Sequence, residues 1–333
     1  MLTFPSQNSG ALEQVRLLSA PEGFLITARL IEQASSEAGI LSPRFLNTAT
    51  MSKSYELYQY KGCNLISNIH STEYLEKMYN FEITDSDVVA VTYPKSGTVW
   101  MQQILSLIYS DGDQVAVQSK PAEKRVPWIE LPFLDFQTHP PPRLSVTHLP
   151  YHLVPSGLKK KTGKVIYVAR NPKDVVVSLY HFQHFITVLS TPSNFEDFLG
   201  KFIEGKVVFS SWFDHIHNWY AHRDEFNILF VTYEEMKLDL RTSIQKICDF
   251  LGKELDDEKL DTVVKHCTFK NMKMNPMANY ENVENKNASG AFLRKGIVGD
   301  WKNHFTVAQS EMFDRIFQER MKDFPLKFIW DSK

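Results

Sequence analysis

Residues Thr92 to Trp100 read Thr-Tyr-Pro-Lys-Ser-Gly-Thr-Val-Trp, a turn that follows an apolar run and precedes an amphipathic helical pattern. A helix N-terminus offers free backbone N–H groups and a partial positive charge, which suits a phosphate or another oxyanion. Gly97 lets a ligand approach the backbone, Ser96 and Thr98 bring hydroxyls, and Lys95 brings a full charge. The turn is not a Walker loop, because G-x-x-x-x-G-K-[ST] occurs nowhere in the chain. Read alone, it equally fits an ordinary strand–helix turn with an exposed lysine. A second turn, Arg170-Asn171-Pro172-Lys173-Asp174, leads into a helix that carries Ser178. An arginine fork makes paired hydrogen bonds to a terminal phosphate; the competing role for Arg170 is a pair with Asp174. Lys173 reads as a solvated side chain. A third cluster, Phe292-Leu293-Arg294-Lys295-Gly296, closes a long loop and fits either a phosphate clamp or plain surface charge.

These turns need a scaffold that brings them together. Val88–Thr92, Val165–Ala169 and Ile228–Thr232 are short runs apolar on both faces, as central strands of a covered parallel sheet are. Helical spacing follows each: Trp100, Ile104, Leu107 and Ile108; then Val175, Val176, Leu179 and Tyr180; then Met236, Leu240, Ile244, Ile247 and Leu251. The alternation predicts an α/β three-layer fold with a central parallel sheet and P-loop-like nucleotide-binding strand–turn–helix units. Ligands in such folds sit at the carboxyl ends of the strands, so Arg170 is expected to face the same crevice as Lys95. Residues 138–143 and 271–290 read as loops.

Composition narrows the classes. Of 333 residues, 43% are hydrophobic and 13% aromatic, enough for a large core. The 37 Lys and Arg nearly balance 39 Asp and Glu, which predicts no nucleic-acid or membrane partner and makes any anion site local. Cys63, Cys248 and Cys267 are odd in number, widely spaced and without metal-ligand spacing; this predicts a reducing, cytoplasmic compartment and no metal. The composition shifts near Met51, so residues 1–50 read as an N-terminal appendage, disordered or partly helical, and 51–333 as one domain.

Together, Thr92–Trp100, Tyr167–Asp174 and Arg294-Lys295-Gly296-x-x-Gly299-Asp300-Trp301 resemble the signature segments of the cytosolic sulfotransferases, over residues 55 to 330. The resemblance implies 3′-phosphoadenosine 5′-phosphosulfate (PAPS) as donor. It would lay the 5′-phosphosulfate on Lys95, Ser96, Gly97 and Thr98, and the 3′-phosphate on Arg170, Ser178, Arg294, Lys295 and Gly296. Trp100 and Phe269 resemble the family's adenine-stacking pair, with Tyr233 a further adenine contact. Val99, Thr268, Met272, Phe292 and Leu293 complete the implied nucleotide site. His148, in Ser-Val-Thr-His-Leu-Pro, matches the family's general base; sequence alone does not single it out among eleven histidines. Lys95 would stabilise the leaving phosphate, with Ser178 beside it. Lys302, Thr306, Val307 and Glu311 match the family's homodimer contact. Two departures stand out: Val146 where many relatives carry a lysine, and Cys267 where many carry a hydroxyl residue.

For the acceptor, Trp128, Ile129 and Leu131 align with the family's substrate loop, and Phe182, Phe185, Ile186, Val188 and Tyr280 add greasy lining. Glu130 fits either attraction of a cationic amine or a structural carboxylate bonded to nearby backbone. Ile186 replaces the glutamate of a catecholamine-selective relative. The likeness is strongest to the amine-sulfating branch, with small aromatic or hydrophobic amines, phenols or alcohols as the expected acceptors of a xenobiotic-handling enzyme. Two rivals remain: a P-loop kinase or NTPase with a degenerate loop, and a catalytically silent nucleotide binder.

Overall fold

The computed structural model describes residues 55–134, 136–283, 286–287 and 290–331; the expected appendage and its boundary at Met51 lie outside them. Six strands are present among the described residues: β1 Leu57–Tyr60, β2 Cys63–Ile66, β3 Val88–Thr92, β4 Leu144–Thr147, β5 Lys164–Ala169 and β6 Ile228–Thr232. The helices are α1 Thr72–Tyr79, α2 Thr98–Tyr109, α3 Gln114–Gln118, α4 Ala122–Arg125, α5 Pro172–Phe185, α6 Phe195–Ile203, α7 Trp212–Ala221, α8 Tyr233–Leu238, α9 Leu240–Leu251, α10 Asp257–His266, α11 Phe269–Lys273 and α12 Val307–Arg320. Strands β1 and β2 form an antiparallel hairpin; β4, β3, β5 and β6, in that order, form the parallel central sheet.

The sheet is covered on both faces, which is why its strands are apolar throughout. Val89, Val91, Val165 and Tyr167 pack with α5, α6, α7 and α12, through side chains such as Val176, Phe202, Trp212 and Phe313. Val88, Ala90, Ile166 and Val168 pack on the other face with Ile104, Ile247 and Val263 of α2, α9 and α10. This is the expected three-layer α/β arrangement. Two details differ. The strand Leu144–Thr147 escapes the apolar-run criterion because Ser145 and Thr147 interrupt it, yet both are fully buried. And β6 is an edge strand, so Ile228, Leu229 and Phe230 are only half-buried. The helical pattern from Met236 to Leu251 is also two helices. Asp239, extended at φ −144° and ψ 90°, breaks it and caps α9 by accepting from the Thr242 N–H.

Register places the functional turns at one edge. Thr92 lies beside Val168, Ala169 beside Thr232, and Val91 beside Thr147. The residues that follow, Tyr93–Gly97, Arg170–Asn171, Tyr233 and His148, therefore all leave the sheet at its carboxyl end.

Candidate active site

The β3–α2 turn is wound tightly. Lys95 sits at φ 70° and Gly97 at φ 115°, both left-handed, so the chain reverses within a few residues. A Cβ at Gly97 would lie 3.1 Å from the Tyr233 ring, which leaves glycine as the residue that fits. No side chain caps α2 at Gly97. The Lys95 ammonium stands 4.1 Å and 4.2 Å from the ring centres of Phe182 and Phe292. Burial, reinforced by the positive Arg170 and Arg294, pushes its pKa down to about 7. Lys95 is half-buried rather than exposed, and among the described residues no carboxylate forms an ion pair with it.

Arg170 shares this environment. Its guanidinium donates to the Lys95 carbonyl at 3.0 Å and the Ile297 carbonyl at 3.2 Å, and lies 4.2 Å over the Tyr233 ring. Its Nε is buried without a hydrogen-bond partner among the described residues, as is the Ser96 hydroxyl. Asp174 does not neutralise it. That carboxylate instead accepts from the backbone N–H groups of Gly299 at 2.8 Å and Trp301 at 3.0 Å, which ties the 292–301 loop to α5. Lys173 is not solvated as expected. It is 1% exposed, paired with Asp314 at 2.7 Å and stacked 4.2 Å over Trp301.

The third cationic cluster differs from the first two. Arg294 and Lys295 each meet Asp300 at 2.7 Å, and this carboxylate is held below the usual range: burial would raise it, but bonds from Lys295, Asn303 and Arg294 outweigh burial. Gly296, at φ 63°, presses on Phe269 so closely that a Cβ would come within 2.1 Å of the ring. The loop thereby reaches α11 and its cap, Thr268, whose hydroxyl accepts from the Asn271 N–H and donates to Lys265. Val99, Met272 and Tyr280 pack in one small cluster with Trp100, Phe292 and Leu293 against it. Trp100 donates its indole N–H to the Cys267 carbonyl at 2.8 Å and meets Tyr233 edge-on at 5.2 Å. Cys267 itself is fully buried in the core, so its thiol replaces a hydroxyl where packing rules. Ser178 is half-buried on α5, about two turns from Pro172.

His148 follows directly on β4. Its Nδ1 lies 2.7 Å from the Thr92 carbonyl and 3.1 Å from the Thr92 hydroxyl. A carbonyl oxygen only accepts, so Nδ1 carries the proton and Nε2 keeps its lone pair. Burial pushes the imidazole pKa down to about 3, so the ring is neutral at physiological pH. The ring lies between Trp128 at 4.6 Å and Phe209 at 5.0 Å. Glu130 is 1% exposed and accepts from the His148 backbone N–H at 2.8 Å, the second of the two roles the sequence left open. Around this ring, Trp128 donates toward the Tyr280 hydroxyl at 3.3 Å, Phe292 stacks on Tyr280 at 4.8 Å, and Phe182 meets Phe292 at 5.5 Å. Ile186 and Val188 are buried in the main core cluster with Phe209. Val146 is buried on the opposite face with α2 and supplies no charge to this region.

Sequence reasoning missed Phe209, Tyr93 and His215. Phe209 and Ser210 both have positive φ, 62° and 65°, held by bonds from Tyr93 to the Ser210 carbonyl and from Phe209 N–H to the Asn64 carbonyl. No glycine marks this turn, so nothing in the sequence announces it. Among the described residues no group of three His, Cys, Asp or Glu side chains is placed to hold a metal ion. No helix among them is long and apolar enough to cross a membrane.

Cationic turns thus meet a neutral imidazole at the carboxyl end of the sheet, and the chain as a whole is similar to known proteins. Residues 85–325 match the sulfotransferase domain family. Over 282 residues the chain is 53% identical to an amine sulfotransferase of Oryctolagus cuniculus, covering 83% of this chain and 94% of that one. It is 46% identical to sulfotransferase 2B1 of Rattus norvegicus, covering 83% of each. Mouse sulfotransferase SULT7A1, solved as a complex with PAP, superimposes with a TM-score of 0.69 at 33% identity, over 80% of this chain and 95% of that one. The match by family, by sequence and by structure means that this chain is a sulfotransferase and belongs to the cytosolic sulfotransferase family.

Proposed function

We propose that the enzyme moves a sulfuryl group from PAPS to the amine or hydroxyl of a small aromatic or hydrophobic acceptor, with His148 as general base. The observation that carries this reading is the pairing of two cations, half-buried Lys95 and buried Arg170, neither in an ion pair among the described residues, with a neutral imidazole whose Nε2 keeps its lone pair. The residues fit a doubly phosphorylated donor. Among the described residues the buried Arg170 Nε and Ser96 hydroxyl lack partners, which phosphate oxygens would supply. The solved relative holds PAP, the desulfated form of this donor.

PAPS, when bound, supplies a sulfuryl group on a good leaving phosphate. The chain supplies alignment and charge. Lys95, Ser96, Gly97, Thr98 and the first N–H groups of α2 hold the 5′ end, and Lys95 takes up negative charge as it develops on the leaving oxygen. Arg170, Ser178, Arg294, Lys295 and Gly296 take the 3′-phosphate; Arg294 and Lys295 exchange part of their Asp300 pairing for it. Trp100, Phe269 and Tyr233 flank the adenine. His148 Nε2 withdraws the acceptor's proton while Thr92 holds Nδ1–H. Because Val146 brings no cation, Lys95 carries the charge stabilisation at this point. Trp128, Phe182, Tyr280 and Phe209 wall off the acceptor, and Glu130 acts on the His148 backbone rather than on an amine. The enzyme works in the cytoplasm as a homodimer through Lys302, Thr306, Val307 and Glu311, all exposed where α12 begins.

The test is transfer of labelled sulfur from PAPS to a panel of aryl and alkyl amines, phenols and alcohols. His148→Ala is expected to keep PAP affinity and to lower turnover by roughly a hundredfold or more. Retained turnover removes His148 as the base. Tight PAP binding without product from any acceptor instead favours a silent nucleotide binder, the reading that the uncharged Val146 supports, and Val146→Lys becomes the variant to assay.

A further inference from the structure

His148 sits one residue past the end of β4, so its backbone N–H and C=O are outside the sheet ladder. Buried backbone groups need partners. Here both partners are ionisable side chains: Glu130 accepts from the N–H at 2.8 Å, and His215 of α7 lies 3.1 Å from the carbonyl through Nε2. Since that carbonyl accepts, Nε2 of His215 carries the proton. Its Nδ1 then accepts from the Tyr167 hydroxyl at 2.8 Å. His215 is 3% exposed and Tyr167 1% exposed, and burial holds His215 neutral, with a pKa pushed down to about 4. Tyr93, beside Thr92, closes on the His215 ring edge-on at 5.6 Å, and its hydroxyl fixes the Ser210 carbonyl of the strained turn that presents Phe209 to His148. The neighbouring Leu149 carbonyl is held in the same way by the Trp219 indole of α7 at 3.2 Å.

We infer that His215, fixed in one tautomer by Tyr167, is a positioning residue that holds the His148 main chain so that Nε2 faces the acceptor. The inference rests on the reading of His148 as the base. Position at a reacting centre is costly to lose, since a displacement of about 1 Å can cost on the order of a hundredfold in rate. The arrangement is economical in chemistry: α7 packs against the sheet through Trp212, Phe213, Ile216 and Trp219, so His215 transmits the rigidity of the core to the base.

Full-length wild type, His215→Phe, His215→Gln and Tyr167→Phe should be compared for PAPS-dependent turnover of the best acceptor and for PAP affinity. His215→Phe is expected to lower kcat about tenfold to a hundredfold, with acceptor KM and PAP Kd within about twofold. His215→Gln, whose amide N–H can reach the same carbonyl, should recover most of that loss. Tyr167→Phe keeps the ring and removes only the hydroxyl, so it tests the idea even where His215→Phe fails to fold; a kcat loss of about threefold or more is expected. The inference fails if Tyr167→Phe and His215→Phe turn over like wild type, if His215→Gln is as impaired as His215→Phe, or if KM and Kd rise together with the fall in kcat. A parallel His148→Ala separates the two claims. Loss of turnover there with His215→Phe unaffected sinks only the positioning role, whereas retained turnover in His148→Ala sinks the base on which it depends.

Discussion

Arg143 and Arg170 are both 8% exposed, and each stacks on an aromatic ring: Arg143 4.6 Å from Phe81, Arg170 4.2 Å from Tyr233. They stand at opposite ends of the same sheet. Arg143 precedes β4 and is locked to Asp87, which is fully buried, by an ion pair of 2.5 Å and further bonds at 3.0 Å. Arg170 follows β5 and finds only carbonyls, with Nε left over. Residue type and burial are therefore identical, and the counter-charge decides the role. A buried cation with its own carboxylate is part of the scaffold; one without it awaits an anion. The same contrast separates Lys173, neutralised by Asp314, from Lys95, which is flanked by rings and other cations.

The comparison breaks if the two arginines respond alike to truncation. Arg143→Ala leaves Asp87 buried without its guanidinium and should cost about 3–5 kcal/mol of stability, with PAP affinity of the folded fraction unchanged. Denaturant unfolding and calorimetric titration measure the two quantities separately. Asp87 is the reason for the size of the loss: burial would raise its pKa, and only the Arg143 bonds together with the Thr84 and Arg143 N–H groups hold it below the usual value.

Arg170→Ala should do the reverse. Removing a cation from a cluster with Lys95 and Arg294 relieves repulsion, so stability should change little. Affinity for PAP should fall by about 2 kcal/mol, or some thirtyfold, through lost charge-assisted bonds. Adenosine 5′-phosphate, which lacks the 3′-phosphate, should lose almost nothing. Equal losses for the two nucleotides remove Arg170 from the 3′-phosphate site.

Much of this was legible beforehand, and for stated reasons. Strands apolar on both faces announce a sheet covered on both faces, and β3 and β5 obey this. The turn after each strand carries its own chemistry, so Lys95, Gly97 and Arg170 could be placed in one crevice from residue order alone. What was not legible depends on pairing across long sequence separations. Nothing local tells that Asp174 serves Gly299 and Trp301 rather than Arg170, or that Lys173 is buried against Asp314. His148 is singled out by the resemblance, but its tautomer depends on Thr92, 56 residues away. The His215 contact with the His148 carbonyl spans 67 residues, and the Phe209 turn has positive φ without glycine. β4 hides because a buried strand, here at the sheet edge beside β3, can carry Ser145 and Thr147 once their hydroxyls are bonded, Ser145 to the Val88 carbonyl and Thr147 to the Leu149 N–H.

The smallest effect sharpens the comparison most, because it reads the charge of Lys95 itself. Its pKa lies at about 7 in the free protein, lowered first by burial and then by Arg170 and Arg294. An anion beside it favours the charged form, so the pKa must rise on binding. The sign follows from linkage: the Lys95 contribution to PAP affinity is full and flat below about pH 7, and falls as pH rises from the free to the bound pKa, by at most tenfold per unit. Nucleotide phosphates have their second pKa near 6, so above pH 7 they are already dianions and add no slope. Titration calorimetry in two buffers of different ionisation enthalpy should find proton uptake on binding that grows from pH 7 to 8. Lys95→Arg, charged throughout, should abolish both the uptake and the slope. Arg170→Ala should diminish them, since a neighbouring cation that depresses Lys95 is gone. A pH-independent affinity in the wild type would mean that Lys95 is fully charged before the nucleotide arrives, and that its rings and neighbouring cations do not set its protonation.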